Sequence, residues 1–180
     1  MEKKRLLVLL VMAACLFGGC SAAAVEQEKP TLPPAENSVP ALPEKLTKNE
    51  KGIPMVKVYE TDEETITEMD IENYLLGVVA GEMKNDWPLE ALKAQAILAR
   101  TFVLKFCTEK ESKYEGADVS TDIEEAQAFD ATAVNERVEQ AVKETEGLVL
   151  SHRGELPYAW FHAHSGGMTA TAKTGLNYEK

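Results

Sequence analysis

The sequence has 180 residues and a formal charge of −11, with 30 acidic against 19 basic side chains. This length accommodates one domain of ordinary size with extensions, and a content of 44% hydrophobic and 27% charged residues is typical of a globular protein. The acidic balance argues against a nucleic-acid-binding protein, because such proteins need a basic surface to displace counterions from phosphates.

The N-terminus is typical of a secretory signal peptide. Basic residues at 3–5 precede an apolar run over 6–17, which is shorter than the roughly 20 residues of a membrane span. Two glycines before Cys20 resemble a lipobox, in which the cysteine is lipidated and becomes the first residue. We expect a signal peptide over 1–19 and a lipid anchor on Cys20 that holds the protein on the outer face of the cell membrane. The alternative is an ordinary signal peptide or an uncleaved anchor.

Residues 20–54 are predicted to form a tether between the membrane and a domain over 55–180. The segment is polar and contains six of the eight prolines, so it cannot bury a core. Loss of residues 1–19 would remove three basic residues and one acidic residue, which leaves 16 against 29 and a charge of −13.

A β-hairpin and a helix are predicted at the start of the domain. Apolar and β-branched residues flank the polar segment 61–64, which favours a hairpin; these residues are Val56, Val58, Thr65, Ile66 and Met69. Asp70 is a suitable helix cap, and the apolar residues after it follow the helical period, which predicts a helix over 71–83.

Two more helices are predicted downstream. The second runs from about Pro88 to about Cys107, whose thiol is expected to pack in the core. The acidic segment 108–133 is predicted to be a loop. The third helix covers 136–146, with the cap and stop residues given by Asn135 and Gly147.

A second hairpin is predicted near the end of the chain. Its strands would cover 148–152 and 156–162, joined by a turn at Arg153-Gly154. The predicted fold class is therefore α+β, with short β-hairpins packed against two to three helices.

Glu82 is the first candidate catalytic residue. At about 100° per residue it lies about 20° from Ile71, within the apolar stripe of its helix. A carboxylate there loses solvent, which disfavours its charged form and suits general-acid catalysis. The small residues Gly77, Ala80 and Gly81 surround it. The alternative is that Glu82 lies at the helix end and reaches water or an arginine.

Two long motifs resemble the SpoIID/LytB domain of sporulation and cell-wall proteins. Residues 70–102 read DIENYLLGVVAGEMKNDWPLEALKAQAILARTF, which is similar to the family's GVVAxEM and EALKAQAxxART segments. Downstream, residues 146–150 (EGLVL) and 161–167 (FHAHSGG) resemble its TxGxVL and FHxxSGG segments. The resemblance spans about 55–177.

The resemblance implies a lytic transglycosylase that acts on peptidoglycan, with Glu82 as the catalytic residue. Its implied substrate is glycan strands stripped of stem peptides, and a cell-wall amidase is its implied working partner. A single carboxylate would serve as acid and then as base, because the attacking group is a hydroxyl of the substrate. A hydrolase would need a second carboxylate.

Several polar residues are candidate substrate contacts. Lys93 and Arg100 lie within about 20° of each other on the second helix. Their chemistry, like that of Gln95, suits sugar hydroxyls and carboxyl groups. The alternative is that they pair structurally or extend along the helix surface to water.

The end of the chain supplies a second group of candidate contacts. Tyr158, Trp160, His162 and His164 alternate, so in a strand they would share one face that could contact sugars. Because the family segment includes them, His162, Ser165 and Gly166 are predicted substrate contacts. The alternative is a sheet face covered by a helix.

No metal or other cofactor is predicted. Some family members bind zinc with Cys and His residues before a CQxY segment. In this chain Ala126 stands in place of the cysteine of that segment, so zinc binding of this kind is not expected. Gln127 matches the glutamine and is a further candidate substrate contact. His162 and His164 alone would supply too few ligands.

Two alternatives to a lytic transglycosylase stay open. One is a non-catalytic lipoprotein that binds the cell wall or organises a complex; the other is a metal-dependent wall hydrolase. The family domain continues beyond its SGG segment, whereas this chain ends thirteen residues after Gly167, so the sequence predicts a C-terminally truncated domain.

Overall fold

A small sheet and three α-helices make up the fold of the part of the chain that the structure describes. The computed structural model describes residues 39–161 and 166–167. Its strands are β1 (Met55–Glu60), β2 (Thr65–Asp70) and β3 (Val119–Ser120); its helices are α1 (Ile71–Glu82), α2 (Leu89–Glu109) and α3 (Glu136–Glu144), with a 3₁₀ turn at Ala131–Ala133. The predicted α+β class is confirmed.

The sheet has the order β2-β1-β3. The predicted hairpin is confirmed, since β1 and β2 pair antiparallel from Met55 opposite Asp70 to Glu60 opposite Thr65. Val56 and Val58 are fully buried, which follows from the alternation of side chains along a strand. Strand β3 pairs parallel to β1 within the segment that was predicted to be a loop. Two residues are too few to show a period, so no sequence pattern indicates β3.

Helix α1 begins directly at the end of the hairpin. The Asp70 side chain accepts a hydrogen bond from the Asn73 backbone N–H at 2.9 Å, which confirms the predicted cap. The helix ends at Glu82, because the backbone of Met83 is extended. It packs against α2, α3 and the sheet, which explains why Val78 and Val79 are both fully buried.

Helices α2 and α3 pack against α1 and against each other. The fully buried residues of α2 recur at helical spacing: Leu92, Ala96, Ala99 and Val103. Cys107 packs in the core as predicted, and burial raises the pKa of its thiol to about 12. Asn135 caps α3 as predicted by accepting from the Arg137 and Val138 backbone N–H groups. No helix within residues 39–161 has the length and apolar composition that spanning a membrane requires.

The predicted second hairpin is wrong. Among the described residues of this region, 148–161, only a bridge between His152 and Glu155 forms around the Arg153-Gly154 turn, although the turn itself is present. The preceding segment is held by α2 and not by a partner strand. The Thr101 hydroxyl accepts from the Leu150 N–H at 2.9 Å, and Arg100 donates to the Leu148 carbonyl at 2.9 Å. Side chains on α2 thus satisfy backbone groups that a hairpin would have paired.

Candidate active site

Glu82 is the last residue of α1, at the surface edge of the core. The sequence predicts a Glu82 side chain that faces the core, whereas the structure places it at the helix end, where it is half-buried. Its Oε1 accepts a hydrogen bond from the Ala128 backbone N–H at 2.8 Å. Within residues 39–161, Oε2 accepts none. One oxygen is therefore oriented, and the other has free hydrogen-bonding capacity in this part of the structure.

The segment 126–130 lies across the C-terminal half of α1. The Asp130 N–H donates to the Gly77 carbonyl at 2.9 Å, and the Phe129 ring stacks on Tyr74 with centroids 5.8 Å apart. Gly77 and Gly81 are four residues apart, so they face the same side of the helix. Side chains there would collide with the segment, which explains the small residues around Glu82 in the sequence.

Substitution Gly81→Ala is expected to displace the segment that holds Glu82. The added Cβ would lie 2.8 Å from the Phe129 backbone nitrogen and 2.9 Å from the Ala128 carbonyl carbon, so the backbone must move. We expect a loss of about 1–3 kcal/mol in the free energy of unfolding and a changed NMR shift of the Ala128 amide proton. Urea unfolding and amide spectra measure both quantities.

Gly77→Ala is the matched control for this substitution. Its Cβ would lie 2.3 Å from the Phe129 ring, so that side chain must shift, but no backbone atom is among its three nearest contacts. The Ala128 amide shift should therefore change less in this variant than in Gly81→Ala. An unchanged Ala128 amide in Gly81→Ala would contradict the close approach of the two segments.

Lys93 and Gln95 occupy different environments on α2. The Lys93 Nζ pairs with Glu90 Oε1 at 2.8 Å and with Glu144 Oε2 at 2.5 Å, which joins α2 to α3. Hydrogen bonds to Glu144 and Glu90 raise the pKa of Lys93. Gln95 is buried, and its Nε2 has no hydrogen-bond partner within the described residues.

Arg100 is buried inside the fold and forms a bidentate pair with Glu72 of α1. Its Nε and Nη2 donate to the two carboxylate oxygens at 2.9 and 2.5 Å. Only 1% of the Arg100 side chain is exposed. Its Nη1 donates to the Leu148 carbonyl, so the guanidinium links α1, α2 and the segment after α3. This geometry favours the structural alternative raised for Arg100 above.

Gln127 precedes the residue that holds Glu82. It is 2% exposed, and neither atom of its side-chain amide has a partner within residues 39–161 and 166–167. Gln127 thus adjoins Ala128, whose N–H is bonded to Glu82, whereas Lys93 and Arg100 are engaged in ion pairs.

The remaining predicted substrate contacts lie near the C-terminus of the chain. His162 and Ser165 lie outside the described residues, as does Cys20 at the other end. Gly166 is described and exposed, with a left-handed φ of 62° that suits glycine. Tyr158 and Trp160 are exposed and stack on each other with ring centroids 5.3 Å apart.

Two contacts of this region could not be predicted from sequence patterns. The Ala128 N–H belongs to the backbone, and every residue except proline has such a donor, so the alanine side chain does not indicate this contact. Glu72 resembles any acidic residue in a first helical turn, and only the packing of α1 on α2 brings it to Arg100. Within the described ranges, no three His, Cys, Asp or Glu side chains come together as a metal-binding group.

The same segment lines an acidic cleft of about 680 Å³. Its lining includes five carboxylate residues, namely Glu60, Asp62, Glu63, Asp122 and Asp130, together with Ala128 and Phe129. Glu82 does not line this cleft. The segment 128–130 therefore lines the acidic cleft and, through the Ala128 N–H, also contacts the candidate catalytic carboxylate.

Comparison with protein families identifies the class of this protein. The family described as stage II sporulation protein, SpoIID, matches residues 59–152, slightly more than half of the chain. The chain belongs to this family, as its motifs predicted. The matched span contains Glu82, Arg100 and Gln127 but ends before His162.

Individual relatives are similar to this chain over part of their length. An uncharacterized protein of Brachyspira hyodysenteriae is 35% identical over 108 residues, which cover 60% of this chain and 29% of that protein. Stage II sporulation protein D of Bacillus subtilis is 28% identical over 131 residues, 66% of this chain and 38% of its own. The amidase enhancer of Bacillus subtilis is 34% identical over 95 residues, 53% of this chain and 12% of its own. The chain thus spans well under half the length of these relatives.

Proposed function

We propose that this protein is a lytic transglycosylase that cleaves peptidoglycan glycan strands, with Glu82 as its only acid–base group. The observation that carries the proposal is the placement of the Glu82 carboxyl group. Glu82 is the last residue of α1 and is half-buried. The Ala128 N–H orients one of its carboxyl oxygens, and the other oxygen is left for a substrate. The residue also lies in the segment that the SpoIID family matches.

In the proposed reaction, protonated Glu82 donates its proton to the glycosidic oxygen between N-acetylmuramic acid and N-acetylglucosamine. The bond from C1 of the muramic sugar to that oxygen breaks. The Glu82 carboxylate then takes the proton from the C6 hydroxyl of the same sugar as O6 bonds to C1. The products are a 1,6-anhydro sugar end and a free N-acetylglucosamine end, Glu82 is protonated again, and no water is consumed.

A single carboxyl group suffices for this reaction because the nucleophile belongs to the substrate. A hydrolase would need a second carboxylate to activate water or to form a covalent intermediate. The Ala128 N–H would hold Oε1 in place through both proton transfers, since positioning of an acid–base group is part of its efficiency.

We further propose substrate contacts from two parts of the chain. Gln127 adjoins the residue that holds Glu82, and its amide has unused hydrogen-bonding capacity within the described residues. His162, Ser165 and Gly166 are proposed from the family's second segment. Gln95 is also buried and is a weaker candidate, because no described hydrogen bond links it or its chain neighbours to Glu82. The ion pairs of Lys93 and Arg100 favour structural roles.

The proposed setting is the outer face of the cell membrane. Signal peptide 1–19, a lipid on Cys20 and the proline-rich tether would place the domain at the cell wall. A wall amidase is the proposed partner, which the similarity to a protein named amidase enhancer supports. Radiolabelled palmitate should enter the protein in cells and should be absent from a Cys20→Ala variant. Equal labelling of both would contradict the lipid anchor.

A non-catalytic wall-binding or scaffolding lipoprotein is the second candidate function. The observation that favours it is Ala126, which stands where the family's CQxY segment has its cysteine. Incubation of the protein with glycan strands that lack stem peptides separates the two functions. Turnover to anhydro ends supports the enzyme, whereas retention of glycan without any cleavage would support the scaffold.

A further inference from the structure

The Glu125 carboxylate is the centre of a hydrogen-bond network beside the candidate active site. It accepts from the Ser112 hydroxyl at 3.0 and 3.1 Å, from the Lys113 backbone N–H at 2.6 Å and from the Ser120 hydroxyl at 2.5 Å. Ser120 is fully buried on strand β3, and Glu125 is half-buried. Both carboxylate oxygens are therefore used, and hydrogen bonds to a charged group are stronger than neutral ones.

One donor of this network, Ser120, belongs to the sheet, and neighbouring groups pack around it. Ser120 pairs with Tyr59 of β1, and the Tyr114 ring stacks on the Tyr59 ring with centroids 4.0 Å apart. Asp122 closes the turn between these groups, because its carbonyl accepts from the backbone N–H groups of Glu125 and Ala126. The side chain of Asp122 accepts from Tyr114 and pairs with Lys113. Glu125 thus links a rigid part of the fold to the segment that follows it.

That segment ends on the candidate catalytic residue. Ala128 is three residues after Glu125 and donates its N–H to Glu82 Oε1 at 2.8 Å. On its far side, the Asp130 N–H is held by the Gly77 carbonyl at 2.9 Å. Three residues span at most about 11 Å, so the position of the Ala128 N–H depends on both anchors.

We propose that Glu125 is a positioning residue, which fixes the Ala128 N–H and through it the orientation of the Glu82 carboxyl group. Its effect on turnover rests on the proposed function, whereas its effect on the Ala128 N–H does not. Without the Glu125 network, the segment keeps its contacts with Asp122, Tyr74 and Gly77 but loses the anchor of its first half on β3, and it samples positions in which the hydrogen bond to Glu82 is broken.

Amide hydrogen exchange of Ala128 tests this proposal in the full-length chain. Loss of a hydrogen-bond network around a charged group corresponds to roughly tenfold to a hundredfold in an equilibrium. Glu125→Ala should raise the Ala128 exchange rate by at least about tenfold, and Glu125→Gln, which keeps one acceptor oxygen, should raise it less. Glu124→Ala is the control, since that exposed neighbour makes only a backbone contact to Asp122 in the described structure.

Kinetics supply the second readout. With glycan strands as substrate, Glu125→Ala should lower kcat by about tenfold with little change in KM, and Glu125→Gln should recover part of it. If Glu125→Ala does not fold, the Gln variant decides: an Ala128 exchange rate equal to that of wild type overturns the proposal. A wild-type protein without turnover would contradict the proposed function alone, because the exchange measurement still decides the role of Glu125.

Discussion

Replacement of Glu82 by Gln is expected to abolish the formation of 1,6-anhydro ends while the protein stays folded. An amide can neither donate the acid proton nor accept the proton of the C6 hydroxyl, and general acid–base catalysis contributes about 10²–10⁴-fold to a rate. The amide oxygen can still accept the Ala128 N–H that Glu82 Oε1 accepts at 2.8 Å, so the segment 126–130 should keep its place. Product analysis by mass spectrometry and a thermal unfolding curve measure the two effects.

The control for this variant is Glu139→Gln on α3. That residue has the same chemistry and is exposed, so its substitution should leave product formation unchanged. Anhydro ends formed at the wild-type rate by Glu82→Gln would show that another group supplies the proton.

Replacement of Arg100 by Leu is expected to destabilise the fold strongly. The substitution leaves the Glu72 carboxylate, only 14% exposed, without its cation, and the Leu148 carbonyl without its donor. Removal of one partner of a buried ion pair costs about 3–5 kcal/mol, because a charge is then left buried alone. The free energy of unfolding in urea measures this loss.

Two further variants show whether the loss of stability comes from the burial of the Arg100–Glu72 pair. Lys93→Met removes a more exposed pair, in which Glu144 is 40% exposed, and should cost at most about 1 kcal/mol. The double variant Arg100→Leu with Glu72→Leu removes both charges and should recover part of the stability. Equal losses for Arg100→Leu and Lys93→Met would contradict the structural role of Arg100.

Local signals in the sequence were sufficient for most of the fold. The cap residues Asp70 and Asn135 fix where α1 and α3 begin, and both form the expected side-chain hydrogen bonds. The alternation of Val56 and Val58 identifies β1, and the polar turn after it identifies the hairpin. These features depend on neighbours within a few residues, so a pattern can reveal them.

Contacts between distant residues account for the errors. Strand β3 exists because Val119 meets Val58 of β1, which no pattern within 108–133 could indicate. The segment after Gly147 resembles a strand, but Thr101 and Arg100 of α2 take its backbone hydrogen bonds. Competition between a helix surface and a partner strand is decided by packing and not by local preference.

In the candidate site, too, some residues could be predicted from local sequence signals and others could not. Glu82 stands out in the sequence by its place in an apolar stripe and by its motif, whose resemblance to the SpoIID family is confirmed by the family match. The Ala128 N–H that orients Glu82 and the Glu125 network behind it became visible only in the structure. A backbone donor leaves no trace in residue identity, whereas a carboxylate in an apolar stripe does.

Digestion of glycan strands without stem peptides in water enriched in oxygen-18 tests the central claim most directly. A lytic transglycosylase closes the C6 hydroxyl on C1, so the new muramic ends should be one water lighter than reducing ends and should carry no heavy oxygen. Reducing muramic ends that have gained heavy oxygen would mean that water attacked C1. That result would contradict the proposal that Glu82 acts alone on a nucleophile supplied by the substrate.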